Sequence, residues 1–228
     1  MIDLVALDMA GTTIDEHGAV YVALQQAVEA EGTPVTEEAV QRWMGTDKRE
    51  AMAGLTEEGG RPAPSPADVE RMYERFRSLL ASAYASVPPR PIPGAPEAFA
   101  ALRNRGVKVA LTTGFSRDVA DPLLASLGWT DGVVDAVVCA DEVAAGRPAP
   151  YLVFRAMEKT GVVDVARVLV AGDTVADLRS GTNAGAAAVV GVATGKLGFA
   201  ELGAEPHTHL LASVAELPAL VDELSAPR

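Results

Sequence analysis

Residues 4–13 read Leu-Val-Ala-Leu-Asp-Met-Ala-Gly-Thr-Thr, an apolar run that ends at a carboxylate and continues into a small, flexible turn. A run of Val, Leu and Ala without polar alternation is typical of a parallel strand that is buried on both faces. Similar runs recur at residues 107–111, 133–138, 168–171 and 187–192, and helical patterns separate most of them, at residues 96–104, 117–127, 151–160 and 174–184. This alternation predicts an α/β fold, a doubly wound parallel sheet with helices on both faces.

One long segment interrupts the alternation. Between the first strand and the rest, the sequence has helical periodicity and no strand-like run, with candidate helices at residues 19–31, 37–44, 47–55 and 66–85. Gly18 and the Pro-rich residues 88–94 mark the two junctions. The sequence therefore predicts a Rossmann-like core, residues 1–17 and 88–228, with an inserted α-helical cap, residues 18–87.

The composition excludes several classes of partner. The chain has 228 residues, a formal net charge of -12 and a pI of about 4.7, so its surface repels nucleic-acid phosphates. No apolar run approaches the roughly 20 residues of a membrane span, and no basic leader precedes the first strand. We expect a cytoplasmic protein with a small-molecule partner and no nucleic-acid or membrane partner. The single cysteine, Cys139, should be a buried strand residue, and the apolar helix at residues 20–28 could pair two copies as a homodimer through the cap.

Polar residues follow the first two predicted strands, and ligands of open parallel sheets bind beyond the carboxyl ends of strands. Asp8 is followed by a turn in which the backbone amides of Gly11 and Thr12 could approach an anion. Thr113 and Gly114 follow the second strand and lead into a helix, which suits phosphate oxygens. Ordinary turn and helix capping would explain each motif alone.

Charged residues follow later in the chain. Arg147, in Gly-Arg-Pro-Ala-Pro, places a permanent cation in a rigid loop, where it could bind phosphate or a carboxylate, although a lone loop Arg is often solvated. If a helix starts at Thr174, Asp173 is its N-cap and Asp177 lies one turn on, so that both face one cleft. Two acids beside Asp8 need a cation. Mg²⁺, held by carboxylates, a backbone carbonyl and water, would supply it.

In this order, the four motifs resemble those of the haloacid dehalogenase superfamily. Its signature is a nucleophilic Asp after the first strand, a Ser or Thr after the second, a basic residue, and a late Gly-Asp-x-x-x-Asp. The resemblance covers nearly the whole chain and implies a Mg²⁺-dependent hydrolase that forms an aspartyl-phosphate at Asp8. It implies metal ligands at Asp8, Ala10, Asp173 and Asp177, and phosphate-binding residues at Gly11, Thr12, Thr113, Gly114 and Arg147.

One position departs from the phosphatases of that superfamily. They carry a second Asp two residues after the nucleophile, which protonates the leaving group, and this sequence has Ala10 there. Asp-x-Ala-Gly-Thr-Thr with Gly-Arg-Pro is similar to phosphonoacetaldehyde hydrolase, or phosphonatase, which cleaves a carbon–phosphorus bond. That family uses a cap Lys, in Met-Gly-x-x-Lys, to form a Schiff base with the substrate aldehyde. The match here is Met44-Gly45-Thr46-Asp47-Lys48, so the resemblance implies catalytic roles for Asp8 and Lys48 and a 2-oxoalkyl phosphonate as substrate.

Lys48 must be neutral when it attacks, whereas an ordinary Lys with pKa near 10.4 is only about 0.04% neutral at pH 7. We expect Asp47 to cap a helix that places Lys48 in its first turn, and burial on cap closure to lower the Lys48 pKa. Phosphonatase has a His one turn after this Lys and a Tyr after Thr-Thr-Gly, where this chain has Ala51 and Phe115. Two alternatives are a phosphatase for a small metabolite and a non-catalytic protein that binds a phosphorylated ligand.

Overall fold

The computed structural model describes residues 1–130 and 132–226, so residues 131, 227 and 228 of the predicted core lie outside it. The strands are β1 Leu4–Asp8, β2 Ile14–Asp15, β3 Arg90–Pro91, β4 Lys108–Thr112, β5 Ala136–Val138, β6 Val168–Gly172, β7 Ala188–Val192 and β8 His209–Leu211. The α-helices are α1 Ala19–Glu29, α2 Glu37–Arg42, α3 Lys48–Glu58, α4 Pro66–Ser86, α5 Ala95–Asn104, α6 Arg117–Ser126, α7 Tyr151–Thr160, α8 Val175–Ala184, α9 Phe199–Gly203 and α10 Leu217–Ser225.

Six of the strands form one parallel sheet in the order β5-β4-β1-β6-β7-β8. The first strand lies between β4 and β6, with Leu7 beside Leu111 on one side and beside Ala171 on the other. Chain order therefore reverses at β1, and a ligand-binding crevice forms at such a reversal. The predicted doubly wound α/β fold is confirmed.

Strand β1 is buried on both faces because helices cover both. Val5 and Leu7 belong to the larger hydrophobic cluster, together with Phe99 of α5. Leu4 and Ala6 point the other way, into a cluster formed with α7 and β6. All five residues of β1 are buried, which accounts for the absence of polar alternation in this strand.

The helical insert consists of α1 to α4, which pack against one another between β2 and β3. Strands β2 and β3 pair antiparallel, with Ile14 beside Pro91 and Asp15 beside Arg90, so the two connections to the core lie side by side. The sequence pattern did not indicate these two-residue strands, because they are too short to show periodicity. The residue limits of the cap, 18–87, remain a prediction.

Three further details differ from the sequence analysis. The strand predicted at residues 133–138 begins only at Ala136, and the carboxylate of Asp135 accepts a hydrogen bond from the Val109 N–H at 2.9 Å. Strand β8 was not predicted, because three residues carry too little pattern. Cys139 is buried as expected, but it lies directly after β5 and not within it.

The apolar face of α1 is covered within the chain. Its buried residues, including Val20, Leu24 and Val28, belong to the larger hydrophobic cluster, and α1 packs against α4. The apolar face on which dimerisation was predicted is therefore not available to a second copy. Dimerisation through the insert remains a prediction. Within residues 1–130 and 132–226, no helix combines the length and apolar character needed to cross a membrane.

We predict that Phe76→Ala destabilises the insert strongly. Phe76 of α4 is fully buried, and truncation of such a side chain costs about 3–5 kcal/mol of unfolding free energy. Urea unfolding followed by circular dichroism measures this loss. The matched control is Phe154→Ala on α7, where the side chain is 38% exposed and the expected loss is about 1 kcal/mol or less. Equal losses in the two variants would contradict the packing of α4.

Candidate active site

The predicted site residues meet at the carboxyl-terminal edge of the sheet. Asp8 is the last residue of β1 and pairs in register with Thr112 of β4. Asp173 directly follows β6, the neighbour of β1 on the other side. The parallel register thus places the ends of three strands, and the loops that follow them, around one position.

Three carboxylates share that position. Asp8, Asp173 and Asp177 are 5%, 3% and 2% exposed. Each offers one oxygen that lies within 4.8 Å of an oxygen from each of the others, close enough for one metal ion. Carboxylates repel one another when buried together, so this cluster requires compensating positive charge.

Arg147 supplies part of that charge and is itself only 4% exposed. Its Nη1 lies 2.5 Å from Oδ1 of Asp8 and 2.9 Å from Oδ1 of Asp177. Its Nη2 donates to the hydroxyl of Thr112 at 2.7 Å. The loop Arg is therefore part of the buried cluster and is not solvated.

The helix after β6 begins one residue later than predicted, which corrects the role of Asp173. Thr174 is the N-cap of α8, and Asp177 completes a capping box with it. The hydroxyl and the N–H of Thr174 both donate to Oδ2 of Asp177, at 2.5 and 3.1 Å. Asp173 therefore stands outside the helix and is free of any capping role.

Asp173 is held by the turn that follows β1. The Thr12 hydroxyl donates to Oδ1 of Asp173 at 2.6 Å. A methyl group on Gly11 would overlap the carboxylate of Asp173, and Gly11 has φ +89°, so this position suits glycine on both counts. The N–H of Gly11 donates to the Ile14 carbonyl at 2.8 Å, within the turn. Phosphate binding by Gly11 and Thr12 remains a prediction, and so does metal binding by the half-buried Ala10.

Thr113 and Gly114 lie beside the site after β4. Thr113 is buried, and its hydroxyl accepts a hydrogen bond from the Phe115 N–H at 3.1 Å. Gly114 lies against the backbone of Thr46, so closely that a side chain at position 114 would strike the Thr46 carbonyl. The phosphate-binding roles predicted for both residues remain predictions.

The helical insert reaches the site through the turn before α3. Gly45 lies against the side chain of Thr174, and its carbonyl accepts a hydrogen bond from Arg147 at 3.3 Å. Asp47 caps α3 as expected, because its side chain accepts from the N–H groups of Arg49 and Glu50. The insert is thus closed over the carboxylates in this structure.

Lys48 is buried under this turn, with 4% of its surface exposed. Its Nζ donates to the Thr46 carbonyl at 2.8 Å and lies 5.6 Å from the centre of the Phe115 ring. Burial lowers the pKa of Lys48 to about 8, against the opposing charges of Asp47 and Asp8. The depression that the sequence analysis required is therefore present, and burial is its main cause.

Burial has the opposite effect on the carboxylates, whose pKa values it raises. Burial raises the pKa of Asp8 to about 7, while Arg147 opposes the shift and Asp177 adds to it. Burial and the charge of Asp8 likewise raise the pKa of Asp173 well above its ordinary value. One guanidinium does not balance three buried carboxylates. An oxygen-liganding divalent cation such as Mg²⁺ fits this donor set and the remaining charge.

Three residues near the site were missed by sequence reasoning. Thr112 binds Arg147, the Thr194 hydroxyl donates to the Gly11 carbonyl at 2.6 Å, and Glu16 is a buried acid at the junction with the insert. The sequence could have indicated Thr112, since it stands at the same strand end as Thr113. Thr194 and Glu16 belong to no motif, so their role depends on the packing of loops distant in sequence.

We predict that Mg²⁺ stabilises the protein more at about pH 8 than at about pH 5. Because the Asp8 pKa rises from 3.8 to about 7, the folded state binds more protons than the unfolded state between these values. The unfolding free energy of the metal-free protein therefore falls as pH rises, by up to about 1.4 kcal/mol per pH unit for each proton involved. A bound cation relieves this loss where the carboxylates are ionised, and protons compete with it at low pH.

Thermal unfolding with MgCl₂, against NaCl of equal ionic strength, measures the effect. Asp173→Asn should abolish the Mg²⁺-induced rise in Tm, and the exposed control Glu158→Gln on α7 should keep it. A rise in Tm that is independent of pH, or that survives in Asp173→Asn, would argue against a metal at these carboxylates.

The chain is similar to several known proteins. The family model of haloacid dehalogenase-like hydrolases matches residues 2–185. Phosphonoacetaldehyde hydrolase from Bacillus cereus is 34% identical over 216 residues, which cover 89% of this chain and 78% of that protein. A hydrolase from Pseudomonas syringae has the same fold, with a TM-score of 0.87 at 23% identity over 99% of this chain and 100% of its own.

A phosphonoacetaldehyde hydrolase-like protein from Oleispira antarctica also shares the fold. Its TM-score is 0.80 at 24% identity, over 98% of this chain and 92% of that one. Two findings identify the family: the family model matches most of the chain, and a relative is 34% identical over most of its own length. This chain belongs to the haloacid dehalogenase-like hydrolases, and phosphonoacetaldehyde hydrolases are among its relatives.

Proposed function

We propose that this hydrolase cleaves the carbon–phosphorus bond of a 2-oxoalkyl phosphonate. Lys48 forms a Schiff base with the substrate carbonyl, and Asp8 accepts the phosphoryl group. The observation that carries the proposal is the pairing of a buried Lys48, with its pKa lowered to about 8, and Ala10 at the position of the missing proton donor. The relatives named phosphonoacetaldehyde hydrolase support it.

Ala10 creates a leaving-group problem that Lys48 can solve. A general acid commonly contributes about 10²- to 10⁴-fold to such a reaction, and a methyl group contributes no proton. An iminium at Lys48 withdraws electrons from the carbon–phosphorus bond, so carbon departs as a neutral enamine. No acid is then needed at position 10.

The burial of Lys48 makes the first step practicable. At pH 7, an amine with pKa of about 8 is roughly one tenth neutral, which is over a hundredfold more than an ordinary Lys. The neutral amine adds to the carbonyl, and loss of water leaves the iminium. The ring of Phe115, 5.6 Å from Nζ, provides a π-face toward the cation that forms there.

Asp8 then attacks phosphorus. Its carboxylate oxygen forms a bond to phosphorus as the phosphorus–carbon bond breaks, and that electron pair becomes the enamine double bond. Protonation of the enamine carbon and hydrolysis of the resulting imine release the carbonyl product and restore Lys48. Water then hydrolyses the aspartyl-phosphate, which releases phosphate and restores Asp8.

The other residues bind and orient the phosphoryl group. Arg147 holds Asp8 in place and offers its guanidinium to the phosphoryl oxygens, which Thr113 and the amide of Gly114 also bind. Gly11 and Thr12 fix the turn and the Asp173 carboxylate beside them. Mg²⁺ would be held by Asp8, the Ala10 carbonyl and Asp173, and when bound it supplies positive charge near the transferring group. Asp177, whose oxygens already contact Arg147 and Thr174, supports this set.

The insert acts as a cap that opens for substrate. Asp8, Lys48 and Arg147 are each at most 5% exposed, so a substrate cannot reach them in the closed arrangement. Residues 18–87 move about the paired connections β2 and β3. Closure buries Lys48 and excludes water from the imine.

We predict that borohydride traps an adduct on Lys48 during turnover of phosphonoacetaldehyde. Reduction of the imine fixes the carbon skeleton on Nζ, and peptide mass spectrometry locates the added mass. Lys48→Arg should give no adduct and lose at least about 10³-fold in phosphonate turnover, because a guanidinium stays protonated. Lys108→Arg, at a half-exposed lysine on β4, is the matched control and should behave as the parent.

The same variant separates this proposal from a phosphatase. Turnover of phosphonoacetaldehyde without any adduct, or full retention of activity in Lys48→Arg, would rule out the Schiff base. A Lys48→Arg protein that keeps hydrolysis of phosphate monoesters would identify the chain as a phosphatase.

We also predict the pH dependence of kcat/KM for phosphate release. Only neutral Lys48 attacks, so kcat/KM should rise with pH up to the Lys48 pKa of about 8 and level off above it, and the rise should be steeper below about pH 7, where Asp8 is also protonated. Steady-state rates over this range measure the profile. A profile that keeps rising to the ordinary lysine pKa of 10.5 would contradict the lowered pKa.

A further inference from the structure

A cavity of about 650 Å³ lies between the insert and the core, beside the buried carboxylates. Its core side includes Ala10, Gly11 and Asp173, and its insert side includes Tyr21 and Gln25 of α1. Small-molecule pockets usually measure about 300–1,000 Å³. A two-carbon aldehyde on phosphorus would leave most of this space empty. We call this space the side cavity.

Glu16 is a buried acid in the wall of the side cavity. It lines the cavity, is 5% exposed, and is near enough to Lys48 for its charge to act on the Lys48 pKa. Its carboxylate is fixed in place, because it accepts from the N–H groups of Gly18 at 3.1 Å and Val20 at 2.8 Å. The cavity reaches Asp173, whose carboxylate lies within 4.8 Å of that of Asp8, so a substituent on a substrate bound at Asp8 has room to extend into it.

The wall of the side cavity is rich in hydrogen-bond acceptors. Its acidic residues are Asp15, Glu16, Glu37 and Asp173. The NH₂ group of Gln25 already donates to Glu29 and to the Val35 carbonyl, which leaves its oxygen as an acceptor. Lys196 also lines the wall, but its ammonium forms an ion pair with Glu37. His17 also lines the wall, 3.2 Å from Asp15, and Asp173 is a proposed metal ligand, so the acceptors offered to a substituent are Glu16 and the oxygen of Gln25. These acceptors favour a hydroxyl or amino group and disfavour a second acid.

We propose that the side cavity is a subsite for a hydrogen-bond-donating substituent on the carbonyl carbon of the substrate. The preferred substrate is then a 2-oxoalkyl phosphonate larger than phosphonoacetaldehyde that carries a hydroxyl or amino group and no carboxylate. This inference rests on the proposed carbon–phosphorus hydrolysis and adds its substrate class.

The test compares kcat/KM for phosphate release from four phosphonates with the purified chain and MgCl₂. They are phosphonoacetaldehyde, the methyl ketone acetonylphosphonate, the corresponding hydroxymethyl ketone, and phosphonopyruvate, which carries a carboxylate. The hydroxymethyl ketone should exceed the methyl ketone and phosphonopyruvate by at least about tenfold, and should exceed phosphonoacetaldehyde. Equal rates for the two ketones, or a preference for phosphonopyruvate, would overturn the proposal.

A steric variant tests the location. Val22 lines the cavity and is 55% exposed, so Val22→Trp narrows the space without disturbing the packed core. It should lower kcat/KM for the hydroxymethyl ketone at least about tenfold and leave phosphonoacetaldehyde within about twofold. Val163→Trp, at a site that is 93% exposed and outside the cavity, should change neither.

The outcomes separate the two proposals. If Val22→Trp affects both substrates equally or neither, the subsite is wrong while carbon–phosphorus hydrolysis stands. If no phosphonate releases phosphate and borohydride traps nothing on Lys48, carbon–phosphorus hydrolysis fails, and the subsite fails with it.

Discussion

Three carboxylates are buried at one point on the edge of the sheet, and much of the surrounding structure serves to hold them there. Asp8 and Asp173 stand at two adjacent strand ends, which the parallel register brings together, and Asp177 joins them from the first turn of α8. Their mutual repulsion and loss of hydration disfavour ionisation, as the raised pKa of Asp8 indicates. Arg147 offsets part of this cost, and the hydroxyl groups of Thr12 and Thr174 bind one oxygen of Asp173 and one of Asp177, respectively. The site is therefore destabilising by itself and depends on a rigid scaffold and on added positive charge.

The same cluster couples the insert to the core. Arg147 binds Asp8 and also the carbonyl of Gly45, so a residue of the insert shares the cation that holds the proposed nucleophile. Glycines 45 and 114 permit the close approach of the two parts, because a side chain at either position would overlap its neighbour. In this arrangement Lys48 is buried, and burial lowers its pKa. The proposed movement of the insert would therefore change the protonation state of Lys48.

The core and the insert contribute different parts of the proposed reaction. The core provides the nucleophile, the cation and the ligands for a metal, which suit displacement at phosphorus in general. The insert provides Lys48 and one side of the cavity beside the carboxylates, and these decide which bond breaks and which substrate fits. Fold alone does not specify reaction, and here the discriminating positions are Ala10 and Lys48. Ala10, on the core, stands where related phosphatases carry an acid, and Lys48, on the insert, is a buried amine.

The sequence by itself determined the sheet, the inserted helices and the family to which the chain belongs. Uninterrupted apolar runs specify strands buried on both faces, and a polar residue at the end of such a run must lie at the sheet edge, so Asp8, Thr113 and Asp173 were found from local pattern. Strands β2, β3 and β8 are too short to show a pattern of apolar residues. The helix predicted to start at Thr174 starts at Val175, because Thr174 forms a capping box with Asp177. Tertiary structure alone decided that Arg147 is buried between two carboxylates, that Glu16 is buried, and that the apolar face of α1 is covered by α4. Burial and charge at these positions arise from segments far apart in the chain, so no local pattern contains them.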